Sequence, residues 1–272
     1  MMRLSIIILN YNTCNLLRLC LQNLKSLNLD FAYEIIVVDN ASGDKSAQMV
    51  KENFPQIKLI SSAKNLGHAQ GNNLGIKQAQ GDYLLILNTD IIFKQRQDFN
   101  AILEYLDQHP DTAILGPRLT NGDGTIQNSC YRPYNFFTPI YRRTPLGKLS
   151  FARQDLARHL MWDFDHQLNR EVSWLLGACL FVRRSFILEF GAFNPDFFLY
   201  FADYELCDRA QQQGYKVIYY ANAQIVHYHK RESAQGSIWG GFGSILNYTT
   251  RTHLRDWLKY LTIHNKYDKA KR

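Results

Sequence analysis

Four polar clusters in this chain could do chemistry, and each follows or closes an apolar run. Asp39 ends Glu34 to Val38 and opens the loop Asn40-Ala41-Ser42-Gly43-Asp44. A carboxylate there can accept a hydrogen bond from the N3–H of a uracil or thymine ring, although an Asp in that place also serves as an ordinary turn residue or helix cap. Asn88-Thr89-Asp90 directly follows Tyr83 to Leu87. An oxygen ligand at the tip of a rigid strand can hold a divalent cation on a diphosphate, because Mg2+ takes one or two protein carboxylates and completes its shell with phosphate oxygens and water. The bland alternative is an Asx turn. Asp203, Glu205 and Asp208 crowd a helix start, where the helix dipole alone would favour anions. The chemical alternative is a general base, a carboxylate that reaches a substrate hydroxyl. His227-Tyr228-His229 ends a strand-like run and precedes Lys230, Arg231 and Ser233. Two histidines flanking one strand residue point the same way. With no cysteine beside them and no HExxH, zinc is disfavoured.

These clusters need elements to position them. Leu4 to Leu9 is a continuous apolar run, the pattern of a strand buried on both faces. Thr13 can cap a helix whose apolar positions Leu16, Leu17, Cys20, Leu21 and Leu24 recur at helical spacing. Glu34 to Val38, Ile57 to Ile60 and Tyr83 to Leu87 read as further strands, and a helix rich in small residues opens at Gly67 and runs through Asn72. Alternating strand and helix units imply a mostly parallel sheet flanked by helices, with ligands bound outside the carboxyl ends of the strands. Asn10-Tyr11-Asn12, Asp39, Asn65-Leu66-Gly67 and Asn88-Thr89-Asp90 all fall at those ends, so four loops converge on one site.

The second half is less regular. Arg132 to Arg170, with Pro133, Pro139 and Pro145, reads as a long excursion or lid. Trp174 to Val182 is apolar, Tyr204 to Gln213 fits a helix, Lys216 to Tyr220 and Gln224 to Tyr228 look like short strands, and Ile245 to Leu261 looks helical.

Composition narrows the classes. The chain has 272 residues, 46% hydrophobic and 20% charged, a globular balance. Its five cysteines are scattered, with no CxxC, as in a reducing compartment. No stretch approaches the ~20 apolar residues that span a bilayer. The net charge of +7 suits nucleic acid, an anionic membrane surface or a phosphorylated substrate. Cations concentrate from Arg251 to Arg272, and Trp239, Phe242, Ile245, Leu246, Trp257, Leu258 and Leu261 lie before or among them. Such a segment either lies in a membrane interface or packs on the domain with a solvated tail.

Taken in order, Ser-Ile-Ile-Ile-Leu-Asn-Tyr-Asn, Glu-Ile-Ile-Val-Val-Asp-Asn-Ala-Ser-Gly-Asp, Asn-Leu-Gly-His-Ala-Gln-Gly-Asn-Asn-Leu-Gly-Ile and Leu-Leu-Ile-Leu-Asn-Thr-Asp resemble family-2 glycosyltransferases. Trp174-Leu-Leu-Gly-Ala-Cys-Leu, Gly191-Ala-Phe-Asn, the run Phe198 to Cys207 and Val226-His look like the branch that contains bacterial rhamnosyltransferases. The resemblance implies a GT-A fold over residues 1–234, with 1–120 as the nucleotide-sugar half, 121–234 as the acceptor half, and 235–272 as a helical basic extension. It implies inverting transfer of a sugar, rhamnose first, from a dTDP- or UDP-linked donor to a surface-glycan or lipid-linked acceptor. Such an enzyme would sit in the cytoplasm, at the inner membrane face, with Mg2+ or Mn2+ and no nucleic acid. By the same resemblance Asn10, Tyr11, Asn12, Asn65, Gly67 and Asn72 meet the donor, and Asp39 its pyrimidine. Asn88 replaces the first acid of the DxD motif and Asp90 matches its last, which meets the metal together with His227. Asp203 is the base, and Trp174, Gly177 and Ala178 line the acceptor side. One position departs from the family: Ala202 stands where a Glu usually precedes the base, which leaves Glu205 as an alternative base. A nucleotidyltransferase would want a Gly- and Lys-bearing loop after the first strand, where this chain has Asn-Tyr-Asn-Thr-Cys. A binding homologue without activity is the other competitor, and Ala202 is its one hint.

Overall fold

The computed structural model describes residues 1–228 and 248–270. In chain order, β1 (Leu4–Asn10), α1 (Cys14–Ser26), β2 (Tyr33–Asp39), α2 (Ser46–Asn53), β3 (Lys58–Ser61), α3 (Gly67–Ile76) and β4 (Tyr83–Asn88) make the first half. β5 (Ile91–Phe93), α4 (Gln97–Gln108), β6 (Thr112–Thr120), β7 (Cys130–Tyr131), α5 (Thr138–Arg143), a 3-10 turn (Pro145–Lys148) and α6 (Ser150–His159) follow. β8 (Arg170–Glu171), β9 (Trp174–Leu175), β10 (Cys179–Arg183), α7 (Arg184–Phe190), α8 (Ala202–Gln212), β11 (Lys216–His227) and α9 (Tyr248–Ala270) come last.

The main sheet runs β3-β2-β1-β4-β10-β6-β11-β5, with β8 beside β11. β3, β2, β1 and β4 are parallel, β10 lies antiparallel between β4 and β6, and β11 is parallel to β6. The expected mostly parallel sheet is therefore present, with one reversed strand inside it. Successive side chains of a strand face opposite ways. Ile7, Ile36, Leu84, Ile86, Leu180 and Val182 accordingly build one core, and Ile6, Ile8, Val37, Leu85, Leu87 and Phe181 the other. Each such side chain contributes about 1.5–3 kcal/mol on full burial, which fixes the register. That register pairs Asn10 with Asp39, Leu9 with Asn88 and Asp39 with Ser61. The polar strand ends are thus level along one edge.

Three expectations change. Lys216 to Tyr220 and Gln224 to Tyr228 form one strand, β11, whose register against β6 shifts between Tyr220 and Gln224. That irregularity is why the sequence looks broken there. Thr13 occupies the N-cap position of α1 but makes no capping bond; the Cys14 N–H instead donates to Asp44 Oδ2 at 3.0 Å. The long excursion from Arg132 to Arg170 carries regular structure. It folds into α5, the 3-10 turn and α6, and Tyr134 lays its ring against Trp174, Phe201 and Tyr204.

α9 settles which way its apolar face turns. Trp257 and Tyr260 are buried in the core that holds Leu84 and Leu180, with Leu254, Leu261 and Ile263 packed against it. Of the two arrangements open to this segment, that apolar face packs on the domain, while Leu258 remains exposed. Trp239, Phe242, Ile245 and Leu246 lie outside the described residues. Within α9, Asp256 is fully buried and accepts hydrogen bonds from the N–H groups of Leu199 at 3.1 Å and Tyr200 at 3.0 Å. Removing that carboxylate would orphan two donors. Asp256→Ala should lower unfolding free energy by about 1–3 kcal/mol, read as a lower urea midpoint with unchanged slope.

Candidate functional site

The first strand-end loop is built around Asn10. Its buried amide nitrogen donates to Asp39 Oδ1 at 2.9 Å and to Ser42 Oγ at 3.0 Å, and its oxygen accepts from Thr13 Oγ1 at 2.7 Å. The Thr13 hydroxyl also meets that of Thr89 at 3.0 Å, which joins the first loop to the fourth. Asn12 has a positive φ of 55°, a conformation Asn tolerates, and its Oδ1 accepts from the Gly43 N–H at 2.7 Å. Tyr11, 48% exposed, stands on the rim beside them. Asn10 thus orients Asp39, whose carboxylate is nearly buried.

Asn40, not singled out by sequence, links the second loop to the third. It donates to Asn65 Oδ1 at 2.9 Å and accepts from the Leu66 N–H at 2.9 Å. Asn65 Oδ1 in turn accepts from the Gly67 N–H at 2.9 Å. Gly67 has φ +76°, and a Cβ there would lie 2.3 Å from the carbonyl oxygen of Phe198, so only glycine fits. The next residue, His68, donates its N–H to that same carbonyl at 2.5 Å. Asn72 is buried one turn along α3 and donates to the His68 carbonyl at 2.9 Å. It supports the helix and does not sit on the rim.

Asp90 and His227, distant in sequence, come together. His227 Nε2 lies 3.4 Å from Asp90 Oδ1, and the Tyr228 N–H donates to the Asp90 carbonyl at 2.8 Å. Gln127 sets the imidazole tautomer. Its amide nitrogen donates to the His227 carbonyl at 2.8 Å and to Asn121 Oδ1 at 2.6 Å, so its oxygen, 2.8 Å from His227 Nδ1, must accept. Nδ1 therefore carries a proton, and Nε2 is the ring nitrogen on the Asp90 side. A carboxylate oxygen and an imidazole nitrogen on one side suit a shared divalent cation. Among the described residues no third His, Cys, Asp or Glu joins them. The rest of the shell would have to come from phosphate and water, as Mg2+ sites commonly arrange. Lys230, Arg231 and Ser233, expected to clamp a diphosphate, lie outside the described residues.

The three carboxylates of α8 have different surroundings. Glu205 is buried and pairs with Arg209 through both oxygens, at 2.9 and 3.0 Å. Arg209 also donates to the carbonyls of Phe190, Gly191 and Ala192, so the pair ties α8 to the end of α7. Asp208 accepts from Gln212 at 2.8 Å and Tyr260 at 3.1 Å. Asp203 takes only backbone N–H groups among the described residues: Gly177 to Oδ2 and Tyr204 to Oδ1, both at 2.9 Å. Burial pushes its carboxyl above the ordinary range, against the pull of His68 and of those N–H groups. Such a group is a stronger base than an exposed Asp.

Each of the residues expected on the acceptor side has a partner within the fold. Trp174, 4% exposed, stacks on Tyr131 with ring centres 4.1 Å apart. The N–H of Gly177 holds Asp203, and the carbonyl of Ala178 accepts from the Asn88 N–H at 2.9 Å. One dipeptide thus bridges the fourth strand end to the α8 carboxylate. Gln127, Asn40 and His68 carried no signal that sequence reasoning used. Gln127 stands in a polar loop without a motif, and His68 was one letter in a run of small residues.

The model of the family described as "Glycosyl transferase family 2" matches residues 5–162. An N-acetylglucosaminyl-diphospho-decaprenol L-rhamnosyltransferase of Mycobacterium tuberculosis is 25% identical over 227 residues, covering 76% of this chain and 70% of that relative. The low-salt glycan biosynthesis hexosyltransferase Agl10 of Haloferax volcanii is 28% identical over 218 residues, covering 79% and 63%. The mannosyltransferase PcManGT from Pyrobaculum calidifontis, solved with GDP-Man and Mn2+, superposes with a TM-score of 0.57 at 18% identity, covering 85% of this chain and 58% of that one. The chain is thus shorter in span than these relatives, and the last likeness concerns the fold.

Glu205→Gln tests the division of labour among the α8 acids. It leaves a largely buried guanidinium without its counter-charge and should lower stability by about 1.5–3 kcal/mol, seen in chemical denaturation. The Asp203 contacts to Gly177 and Tyr204 should persist.

Proposed function

The chain belongs to glycosyl transferase family 2 and is a nucleotide-sugar-dependent glycosyltransferase, and on that premise we propose that it transfers rhamnose from a pyrimidine nucleoside diphosphate to a hydroxyl of a lipid-linked or surface-glycan acceptor, with inversion. The observation that carries this reading is the Gly177–Ala178 bridge. It sets the Asp203 carboxylate beside the strand end that bears Asn88 and Asp90. The mycobacterial relative, an L-rhamnosyltransferase named for a lipid diphosphate, supports the donor sugar and acceptor class. The net charge of +7 fits an anionic acceptor. Membership of the family removes the nucleotidyltransferase alternative.

In this reading Asp39, oriented by Asn10, accepts the pyrimidine N3–H, and Tyr11 and Asn12 border the nucleotide. Asp90 and His227 Nε2 would hold Mg2+ or Mn2+; the Mn2+ in the archaeal mannosyltransferase supports that choice. When bound, such an ion offsets the negative charge that grows on the departing diphosphate. Asp203 takes the proton of the acceptor hydroxyl as that oxygen bonds to the anomeric carbon, and the carbon–oxygen bond to the diphosphate breaks on the opposite face. Glu205 has no part in this, being held by Arg209.

Asp203→Asn should retain donor binding and fold while transfer falls by on the order of 10²–10⁴. Near wild-type transfer by that variant would place the base elsewhere. Asp90→Ala should abolish the thermal stabilisation that a dTDP- or UDP-sugar gives with Mg2+ or Mn2+, since a ligand selective for the native state raises stability by mass action. Full wild-type activity in excess EDTA would exclude the metal.

A further inference from the structure

The segment that holds α5, the 3-10 turn and α6 carries a run of aromatic rings on the outside of the molecule. Its root is Phe136, which packs edge-on against the buried Trp257 of α9 with ring centres 5.2 Å apart. From there the rings continue outwards: Phe136 to Phe137 at 5.0 Å, Phe137 to Tyr141 at 6.1 Å and Tyr141 to Phe151 at 5.9 Å. Phe136 and Phe151 are each 58% exposed and Phe137 53%, and Leu146 and Leu149, between the two helices, are exposed as well. Single exposed apolar residues are ordinary, but a contiguous patch marks a surface that meets something apolar.

Charge beside the stripe says what that partner is. The chain from Phe136 to Arg158 contains five Lys or Arg and one acid, Asp155. Asp155 is engaged by Asn135, Thr138 and Arg158. Lys148 and Arg153, next to Leu149 and Phe151, are exposed, and neither has a carboxylate within ion-pair distance among the described residues. A second copy of this chain would bring the same excess of cations to the surface, and like charges oppose such a contact. Rings beside cations suit the headgroup region of an anionic bilayer, where the rings enter the acyl boundary and the cations stay with lipid phosphate.

We propose that Phe136, Phe137, Tyr141 and Phe151, with Lys148 and Arg153, form a docking surface for an anionic lipid bilayer. The contact is peripheral: among the described residues no helix is long and apolar enough to cross a membrane. Tyr134, just before α5, lays its ring against Phe201 and Tyr204, the residues on either side of Ala202-Asp203. Docking through this segment keeps the start of α8 close to the headgroups, where a lipid-linked acceptor of the class proposed above carries its sugar.

Flotation of the full chain with vesicles tests the surface without turnover. The intact protein should float with vesicles of equal parts phosphatidylglycerol and phosphatidylcholine, float weakly with phosphatidylcholine alone, and be released by salt. Phe137→Ser with Phe151→Ser should weaken binding by at least ~tenfold, since both rings lose their burial in lipid. Lys148→Gln with Arg153→Gln should cost about fivefold per cation on the mixed vesicles and little on phosphatidylcholine. Leu188→Ser, at an exposed leucine of α7 outside the stripe, should bind as wild type. Phe151→Trp gives a second readout, because its added emission, by difference from wild type, should move to shorter wavelength on the mixed vesicles. Absence of flotation, wild-type flotation by the Phe137→Ser, Phe151→Ser protein, or an equal loss in Leu188→Ser would overturn the proposal. So would a dimer in solution that the two serines convert to monomer while flotation is unchanged, which would give the surface to a second copy.

Discussion

The short hydrogen bond from the His68 N–H to the Phe198 carbonyl joins the two halves of the site. α3 begins at the carboxyl end of β3, among the loops that bear Asn65 and Asp39. Phe198 lies in the segment that leads into α8 and Asp203. The bond forms only because Gly67 lacks a side chain and adopts a positive φ, which lets one backbone lie directly on another. Behind Phe198 the chain is gripped a second time, by the Asp256 carboxylate of α9 on the N–H groups of Leu199 and Tyr200. Directly after these two attachments Phe201 takes a left-handed conformation at φ +65°. That geometry turns the chain sharply into α8 and aims Asp203 towards Gly177. Local strain of this kind persists only where the surroundings over-determine it. α9, the start of α3 and the segment that leads into α8 are therefore one mechanical unit.

Asp203 is distinguished from its neighbours by what holds it. Three acids within six residues would repel one another if all were equally exposed. Arg209 neutralises Glu205, and Gln212 and Tyr260 engage Asp208. Asp203 is left with two dipoles instead of a cation. Dipoles orient a carboxylate without lowering its basicity as far as an arginine would. Orientation by a neutral dipole recurs at His227, where the Gln127 amide oxygen accepts from Nδ1 and so turns Nε2 to the Asp90 side.

The first half of the fold was legible because its strands are continuous apolar runs whose carboxyl ends carry conspicuous polar residues. β1, β2 and β4 appear within a residue of their expected ends, and their register brings Asn10, Asp39 and Asn88 level. The second half was less legible because its signals are tertiary. A shift of register inside β11 looks like two strands, and the helices after Pro139 are held by aromatic packing around Tyr134 and Trp174 rather than by a clean helical period. Trp174, Gly177 and Ala178 came from the resemblance, and what the structure adds is the ring stacking and backbone bonds that hold them. Spacing in the chain does not say which face of a turn offers its N–H to a carboxylate. α9 read as an amphipathic helix, and no pattern within it could reveal that Asp256 reaches back to residue 199.

Ala202 gains a physical meaning from this arrangement. It is buried at the first position of α8, directly before Asp203. A glutamate there would bring a second carboxylate into the same low-dielectric turn. Like charge would raise Asp203 further, and one of the two acids would then hold a proton near neutrality. With alanine, Asp203 is the acid of that turn without a cation beside it, held among the described residues by the N–H groups of Gly177 and Tyr204. The departure at position 202 therefore spares Asp203 a second buried charge in its turn and leaves it free for the role of base proposed for it.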